Sequence, residues 1–544
     1  MSGSKFLKGT LILTGATFIS KFLGMIYVFP FYSIVGNMGG ALYTYAYIPY
    51  TILLSMATMG VPLAVSKFVS KYNALGDYHT GRKLFKTGLV LMLVSGVISF
   101  FVFYSIAPWL APHIIGKNEY GIKHEEVVYV IRMVSTALII VPAMSIIRGF
   151  FQGYQSMEPT AVSQVIEQIA RIIFLLIGSY IVMKVLHGDL HVAVGLSVFA
   201  ATIGAIAGMG VLLWFWYKRK DHLNELLAKS TVTSNITTKA MLLELVTYAG
   251  PFVFVSLAIP LYQLVDEFTF NRAMESINKG GDYAHGLFSI LNMYGHKLIM
   301  IPVSLATAFG LTLVPTITQS FTEKNFKQLH KQISQSLQII MFLTLPAAFG
   351  LAVVAGPTIG ALFNIEIIST GSGIIRYYAP VALLFALFTV TAAILQGINQ
   401  QRFAVYGMFA GLLVKLILNF PFIKLFEIYG VIWATGIGFF ISIVFNFWAI
   451  KKYANFRFKF TIRRSMLISI FVCMMVVVVQ LVLWLLSFMI HYENGRTQSI
   501  LVLVLSITAG AGVYLYLSMQ SGLAGKVLGY RFKFLQKEKQ KANG

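Results

Sequence analysis

Among the ionisable residues inside long apolar stretches of this chain, these carry the functional signal: Lys21, Arg148, Glu167, Arg171, Asp266, Glu267, His296, Lys297, Arg376 and Lys415. A charge at the centre of a bilayer costs at least ~2.5–3.5 kcal/mol on insertion scales, so each needs a partner, water or a ligand. Lys21 sits midway along 11-LILTGATFISKFLGMIYVFPFY-32, and Lys297 lies within 286-GLFSILNMYGHKLIMIPVSLATAFGLTLVP-315. Neither has an acidic residue three or four positions away, so neither finds a partner on its own helix. Two such ammonium groups suit a water-filled cavity that receives an anion. Glu167 and Arg171, four apart, share a helix face and can neutralise each other, with Gln164 and Gln168 beside them. A device that merely fixes helix packing explains that pair equally well. Arg148 and Arg376 stand nearer span ends, where long side chains snorkel, and Arg376 reads as an interfacial anchor. The adjacent carboxylates Asp266 and Glu267 are the candidates for ion coupling.

Composition makes those stretches membrane spans. Hydrophobic residues are 57% of the chain and charged ones 11%, against roughly a quarter charged in soluble domains. Fourteen stretches are expected to cross: 8–36, 41–68, 83–109, 127–152, 159–186, 191–217, 241–272, 286–318, 329–355, 371–397, 403–426, 429–450, 465–490 and 497–519. About 20 residues suffice for a ~30 Å hydrocarbon core. Backbone groups in lipid need internal partners, and spans of this length without strict alternation exclude a barrel. The expected fold is an all-α, polytopic membrane bundle. The first stretch is too long for a signal-peptide core and is expected to be retained. Cys473, the single cysteine, lies in an apolar run and is expected as a buried thiol without a disulfide.

Lysine and arginine collect in alternate loops. One side holds Arg82, Lys83 and Lys86, then Lys218 to Lys220, then Lys324, Lys327 and Lys331, then 451-KKYANFRFKFTIRR-464 and the tail. The other loops are acidic or nearly neutral. The basic side is expected to be cytoplasmic, which puts both termini inside the plasma membrane. The net charge of +23 follows from this bias and fits anionic membrane lipids, not nucleic acid.

The chain also repeats itself. 152-QGYQSMEPTAVSQVIEQIARIIF-174 aligns without gaps on 396-QGINQQRFAVYGMFAGLLVKLIL-418, pairing Arg171 with Lys415, and upstream Val61-Pro62 matches Val314-Pro315. An even number of helices per half gives parallel repeats about a central cavity. The expected organisation is a six-helix lobe over 1–222, a cytoplasmic linker over 223–240, a second six-helix lobe over 241–455, appended helices 13 and 14 over 456–520, and a basic tail over 521–544. Prolines concentrate in spans 1, 2, 7 and 8, marking the helices expected to bend. Gly204 and Gly208 have the spacing of a close helix contact. No zinc-protease, phosphate-loop or Cys/His metal motif occurs, so the chain is not expected to be an enzyme or to use a cofactor.

The segments 9-GTLILTGATFISKFLGMIYVFPFY-32, 148-RGFFQGYQSMEPTAVSQVIEQIAR-171 and 294-YGHKLIMIP-302 closely resemble polysaccharide-export-type flippases, of the superfamily that includes the multidrug and toxin extruders. The likeness is to the Gram-positive branch holding the MurJ-type lipid II flippases and the stage V sporulation protein B group. It implies export of a polyprenyl-diphosphate-linked saccharide, the peptidoglycan precursor lipid II, from inner to outer leaflet by alternating access. Cell-wall synthases are the protein partners it implies. Moving an anionic headgroup out of a negative interior is favourable, so membrane potential is the expected energy source, with a coupling ion as the alternative. In that family, cations of spans 1 and 8 line the cavity and meet the pyrophosphate. The pattern S-R-V-L-G-F appears here as 20-SKFLGM-25 and D-R-L-M-E-F-P as 296-HKLIMIP-302, which places Lys21 and Lys297 on the family's arginines. Two departures stand out: Tyr27-Val28 replaces the span 1 arginine-aspartate, and Met300 replaces the span 8 glutamate. Arg148, Arg171 and Lys415 are the candidates to supply the missing cationic character, with Glu167 among them. Spans 13 and 14 form a groove for the lipid tail in the family. The alternatives are another polyprenyl-diphosphate sugar as cargo, such as a spore-cortex, teichoic or capsular precursor, and a small-molecule antiporter of the extruder type.

Overall fold

A computed structural model shows a chain that is helical nearly throughout. It describes residues 2–58, 61–116, 121–230, 237, 240, 243, 250, 253–363 and 367–528. Part of the expected linker and most of the basic tail therefore lie outside the described residues. All fourteen apolar stretches are helical over their described residues, as the backbone constraint in lipid requires. Among the described residues, eleven helical stretches are long and apolar enough to cross a membrane; one of them, Gly15–Met56, joins the first two expected spans.

The chain divides into two compact units, residues 1–289 and 290–544. The first holds α1 (Ser2–Ile26), α2 (Val28–Thr58), α3 (Val61–Ala74), α4 (Tyr78–Ile115), α5 (His124–Ser135), α6 (Ala137–Gly153), α7 (Glu158–Tyr180), α8 (Leu190–Ala228), α9 (Ala258–Glu275) and α10 (Asp282–Ser289). Breaks between these helices follow local chemistry. Gly36, at φ 64° and ψ −165°, interrupts α2 with a conformation that an L side chain rarely adopts, so the first two spans part at one residue. Asp77 caps α4 by accepting from the Thr80 amide at 2.9 Å. Pro159 starts α7, where its missing N–H would have had no helical partner.

The second unit opens with a π-helical segment, Ile290–Gly295, which runs into α11 (His296–Thr322). Then follow α12 (Phe326–Val353), α13 (Ala355–Leu362), α14 (Ile368–Tyr378), α15 (Val381–Gly397), α16 (Gln401–Phe426), α17 (Ile428–Ala454), α18 (Lys459–Ser487), α19 (Arg496–Gln520) and α20 (Leu523–Leu528). The appended pair α18 and α19 packs on α12, where the Tyr514 hydroxyl donates to the Phe342 carbonyl at 2.8 Å.

Each unit contains the same glycine contact. A Cβ at Gly153 would stand 2.7 Å from Val69 Cβ and 3.0 Å from the Ser66 carbonyl; one at Gly397 would stand 2.7 Å from Ile317 Cβ and 3.3 Å from the Val314 carbonyl. The Gln-Gly repeat thus marks two helix ends that seat closely on the helix before them. The contact pairs Ser66, rather than Val61, with Val314, so the upstream alignment of Val61-Pro62 on Val314-Pro315 does not match the packing. Other expectations are corrected too. α8 runs on to Ala228, because 218–228 keeps good helix formers, so the first residues of the expected linker continue that helix. α9 packs on α2 and α4, so by contact it groups with the first unit although the repeat counts its span with the second half. Cys473 is exposed, on the outward face of α18, and not buried.

The helix pair α7–α8 depends on small residues. A Cβ at Gly204 would lie 2.7 Å from the Glu167 carbonyl oxygen, and one at Gly208 3.2 Å from Glu167 Cβ. Backbones approach this closely only where no side chain intervenes. Gly204→Val is therefore expected to force α7 and α8 apart and to destabilise the protein by about 1–3 kcal/mol. Thermal unfolding in detergent measures this, and an unchanged midpoint contradicts it.

Candidate functional site

The first unit gathers its charged groups around α7. Arg148, from α6, places Nη2 2.7 Å from Glu167 Oε2, and its Nε donates to Ser163 Oγ at 2.9 Å. The two side chains are only 13% and 24% exposed. Glu167 is thus neutralised from α6, not by Arg171 on its own helix. Ser163, one turn before Glu167, accepts from the same guanidinium and holds it in line. Arg148 is accordingly an interior residue and does not snorkel.

Arg171 finds different company. Its Nη2 donates to the Tyr43 hydroxyl at 3.1 Å, and its guanidinium lies 5.3 Å from the centre of the Tyr47 ring. The Tyr43 hydroxyl in turn stands 3.4 Å from that of Tyr27. Tyr47 also packs against Tyr50, with ring centres 5.6 Å apart. The arginine is solvated by phenol oxygens and ring faces, which stabilise a cation without cancelling its charge. Arg171 Nε has no hydrogen-bond partner among the described residues. The tyrosines were not singled out from the sequence, yet the signal was there: in 43-YTYAYIPY-50, Tyr43, Tyr47 and Tyr50 repeat at helical spacing and share one face.

α1 lies along α7. Thr17 Oγ1 donates to Gln164 Oε1 at 3.2 Å, and a Cβ at Gly24 would stand 3.1 Å from Gln168 Nε2. Lys21 falls between Thr17 and Gly24 on the same stripe of α1. Its side chain is exposed, and no hydrogen bond or ion pair joins it to a described residue.

The carboxylates on α9 occupy a separate polar knot. Asp266 and Glu267 are both buried, and neither Glu267 oxygen has a hydrogen-bond partner among the described residues. One turn on, Asn271 Nδ2 donates to the Tyr45 hydroxyl and to the Ile114 carbonyl, each at 2.9 Å. The Tyr45 hydroxyl lies 2.7 Å from His285 Nδ1. Among the described residues no cluster of three His, Cys, Asp or Glu side chains could hold a metal ion.

In the second unit Lys297 is half-buried at the start of α11, and His296 Nδ1 lies 2.9 Å from the Tyr378 hydroxyl. Lys415, the repeat partner of Arg171, is fully buried, and its Nζ donates to Thr435 Oγ1 on α17 at 2.7 Å. It is enclosed where Arg171 is ringed by aromatics. Arg376 is exposed at the end of α14, as an interfacial anchor would be.

The first unit thus sets paired and tyrosine-ringed cations inside a many-helix bundle, and comparison with solved structures gives the fold class. The inward closed conformation of a lipid II flippase MurJ matches 95% of this chain and 100% of that one, with a TM-score of 0.67 at 15% identity. An inward-facing multidrug resistance MATE family transporter of the MOP superfamily matches 80% of this chain and 95% of that one, with a TM-score of 0.65 at 15% identity. Likeness at this identity is likeness of fold. Residues 6–321 match the family described as polysaccharide biosynthesis protein, and 251–420 match MatE. Lipid II flippase MurJ of Bacillus subtilis (strain 168) is 49% identical over 532 residues, 97% of each chain. Stage V sporulation protein B of the same organism is 24% identical over 76% of this chain and 77% of that one. The chain belongs to the polysaccharide biosynthesis protein family.

Removing one partner of a buried ion pair strands the other charge, whereas an apolar pair of similar volume is often neutral. Arg148→Met is expected to destabilise by about 3 kcal/mol, and Arg148→Met with Glu167→Leu to recover most of that loss. Thermal unfolding of the two variants tests this; additive damage would remove the pair as the organising contact.

Proposed function

We propose that this protein is a flippase that carries lipid II from the inner to the outer leaflet of the plasma membrane by alternating access, with no catalytic step. The observation that carries this is the 49% identity to a lipid II flippase over 97% of the chain. The likeness to lipid II flippase MurJ and to stage V sporulation protein B, both of Bacillus subtilis, supports placing it in the Gram-positive branch with the stage V sporulation group. A polyprenyl diphosphate presents an anionic headgroup, and the cations are its recognition elements. Lys21 has charge to offer, and Arg171, held by hydroxyls, keeps its own. Lys297 is the corresponding cation of the second unit. Arg148, matched by Glu167, positions α7, and Lys415 fixes α16 on α17. The unpartnered carboxyl of Glu267, with Asp266 beside it, is the group best placed to take up a proton or coupling ion. α18 carries no Asp, Glu, Lys or Arg over 465–487 and suits a polyprenyl tail. Both termini lie in the cytoplasm, and two six-helix lobes followed by the appended pair make up the transport body. Another polyprenyl-diphosphate saccharide shares the recognised headgroup; counting lipid-linked wall intermediates on each leaflet after depletion separates the cargoes.

Lys21→Ala and Lys297→Ala are each expected to abolish complementation with normal membrane levels, while arginine at either position preserves it. Near-normal growth of cells relying on the alanine variants overturns the assignment. Moving each negative charge outward across 100 mV gains about 2.3 kcal/mol. Flipping in proteoliposomes is therefore expected to slow markedly when the potential is collapsed; an unchanged rate would exclude potential-driven transport.

A further inference from the structure

The second unit holds a cavity of about 850 Å³ that the transport scheme does not use. It lies between the first turns of α12, the 455–458 connection, the start of α18 and Gly525 of α20. Lys331, Arg457 and Arg464 line it, with Ser334, Gln335 and Gln338, and no carboxylate is among its described lining residues. No described Asp or Glu forms an ion pair with any of the three cations, whereas Arg219 in the first unit is matched by Glu158 at 2.9 Å.

The arginine at its centre is held in place. Gln338, 1% exposed, accepts from Arg464 Nη1 through Oε1 at 2.9 Å and donates through Nε2 to Ser334 Oγ at 2.7 Å. Ser334 Oγ lies 2.9 Å from Thr461 Oγ1, which ties α12 to α18. The guanidinium also lies 4.1 Å from the centre of the Phe460 ring. A guanidinium has five N–H donors in a fixed fork, and Gln338 takes one. The remainder suit a phosphate, which such a fork grips through two oxygens.

Position chooses the source of the phosphate. Arg464 is the last charged residue before 465–490, a run with no Asp, Glu, Lys or Arg, so the cavity stands where headgroups meet hydrocarbon. Phe460, 54% exposed, is among the residues that line it. We propose that this cavity binds the phosphate of a lipid headgroup in the leaflet on the loop-basic side. Its lining residues all belong to the second unit and include none of the cations assigned to cargo recognition.

The test uses the full-length protein in neutral detergent, with lipid adducts counted by native mass spectrometry. Phosphatidylglycerol, a polyprenyl diphosphate and phosphatidylcholine are offered at equal dose, with inorganic pyrophosphate as the soluble anion. Retention of either phosphate-bearing anionic lipid at least tenfold above phosphatidylcholine is expected, and the preferred one identifies the source. Lys331→Gln with Arg457→Gln and Arg464→Gln removes that excess, while Lys451→Gln with Lys452→Gln, on the same side but outside the cavity, keeps it. Arg457 is exposed and has no part in the Gln338 bonds, so Arg457→Gln alone preserves packing and is expected to lower retention about fivefold, as one interfacial cation should. Equal loss in the cavity and control variants, equal retention of phosphatidylcholine, or pyrophosphate binding as tight as the lipid would each overturn the proposal.

Discussion

Low dielectric inside a membrane protein leaves every ionised group to be compensated locally, and the first unit meets that demand around one helix. The Arg148–Glu167 contact at 2.7 Å is its centre. It exists because Gly204 and Gly208 bring α8 onto α7, which seats Glu167 against the unit's interior. Compensation is then graded. Arg148 meets a carboxylate, Arg171 meets hydroxyls and ring faces, and Lys21 meets no described group. The same chemistry takes another form in the second unit, where Lys415 is enclosed with a threonine hydroxyl. A charge cancelled inside the protein fixes structure, whereas one left over is available to an incoming anion.

Much of this was legible in the sequence because a bilayer simplifies the code. Apolar run length and backbone satisfaction together dictate helices, so the stretches from 8–36 to 497–519 all proved helical where described. The glycine spacing at 204 and 208 pointed to a close contact, and the Gln152-Gly153 and Gln396-Gly397 repeat pointed to equivalent helix ends. Partner choice was less legible. Spacing along α7 offered Arg171 to Glu167, but a partner four residues away must compete with any group brought in by tertiary packing, and Arg148 prevailed. The tyrosines of α2 went unnoticed because an aromatic run in an apolar span looks like ordinary core until its hydroxyls are seen to face a cation. Cys473 illustrates the converse: an apolar neighbourhood in a membrane chain does not imply burial in protein.

The fold is shared with multidrug extruders at 15% identity, so it leaves the cargo open. What separates a carrier of anionic lipids from one of cationic drugs is the sign of the uncompensated charge. Along α1 and α7 that sign is positive, and it agrees with the relative that shares nearly half of the sequence along almost the whole chain.

The π-helical segment Ile290–Gly295 enters directly into α11, two residues before Lys297. Such a turn holds more residues than an α-helical one. Since each residue advances a helix by ~100°, Lys297 faces a direction about one residue's rotation away from the one an unbroken α-helix through 290–295 would give it.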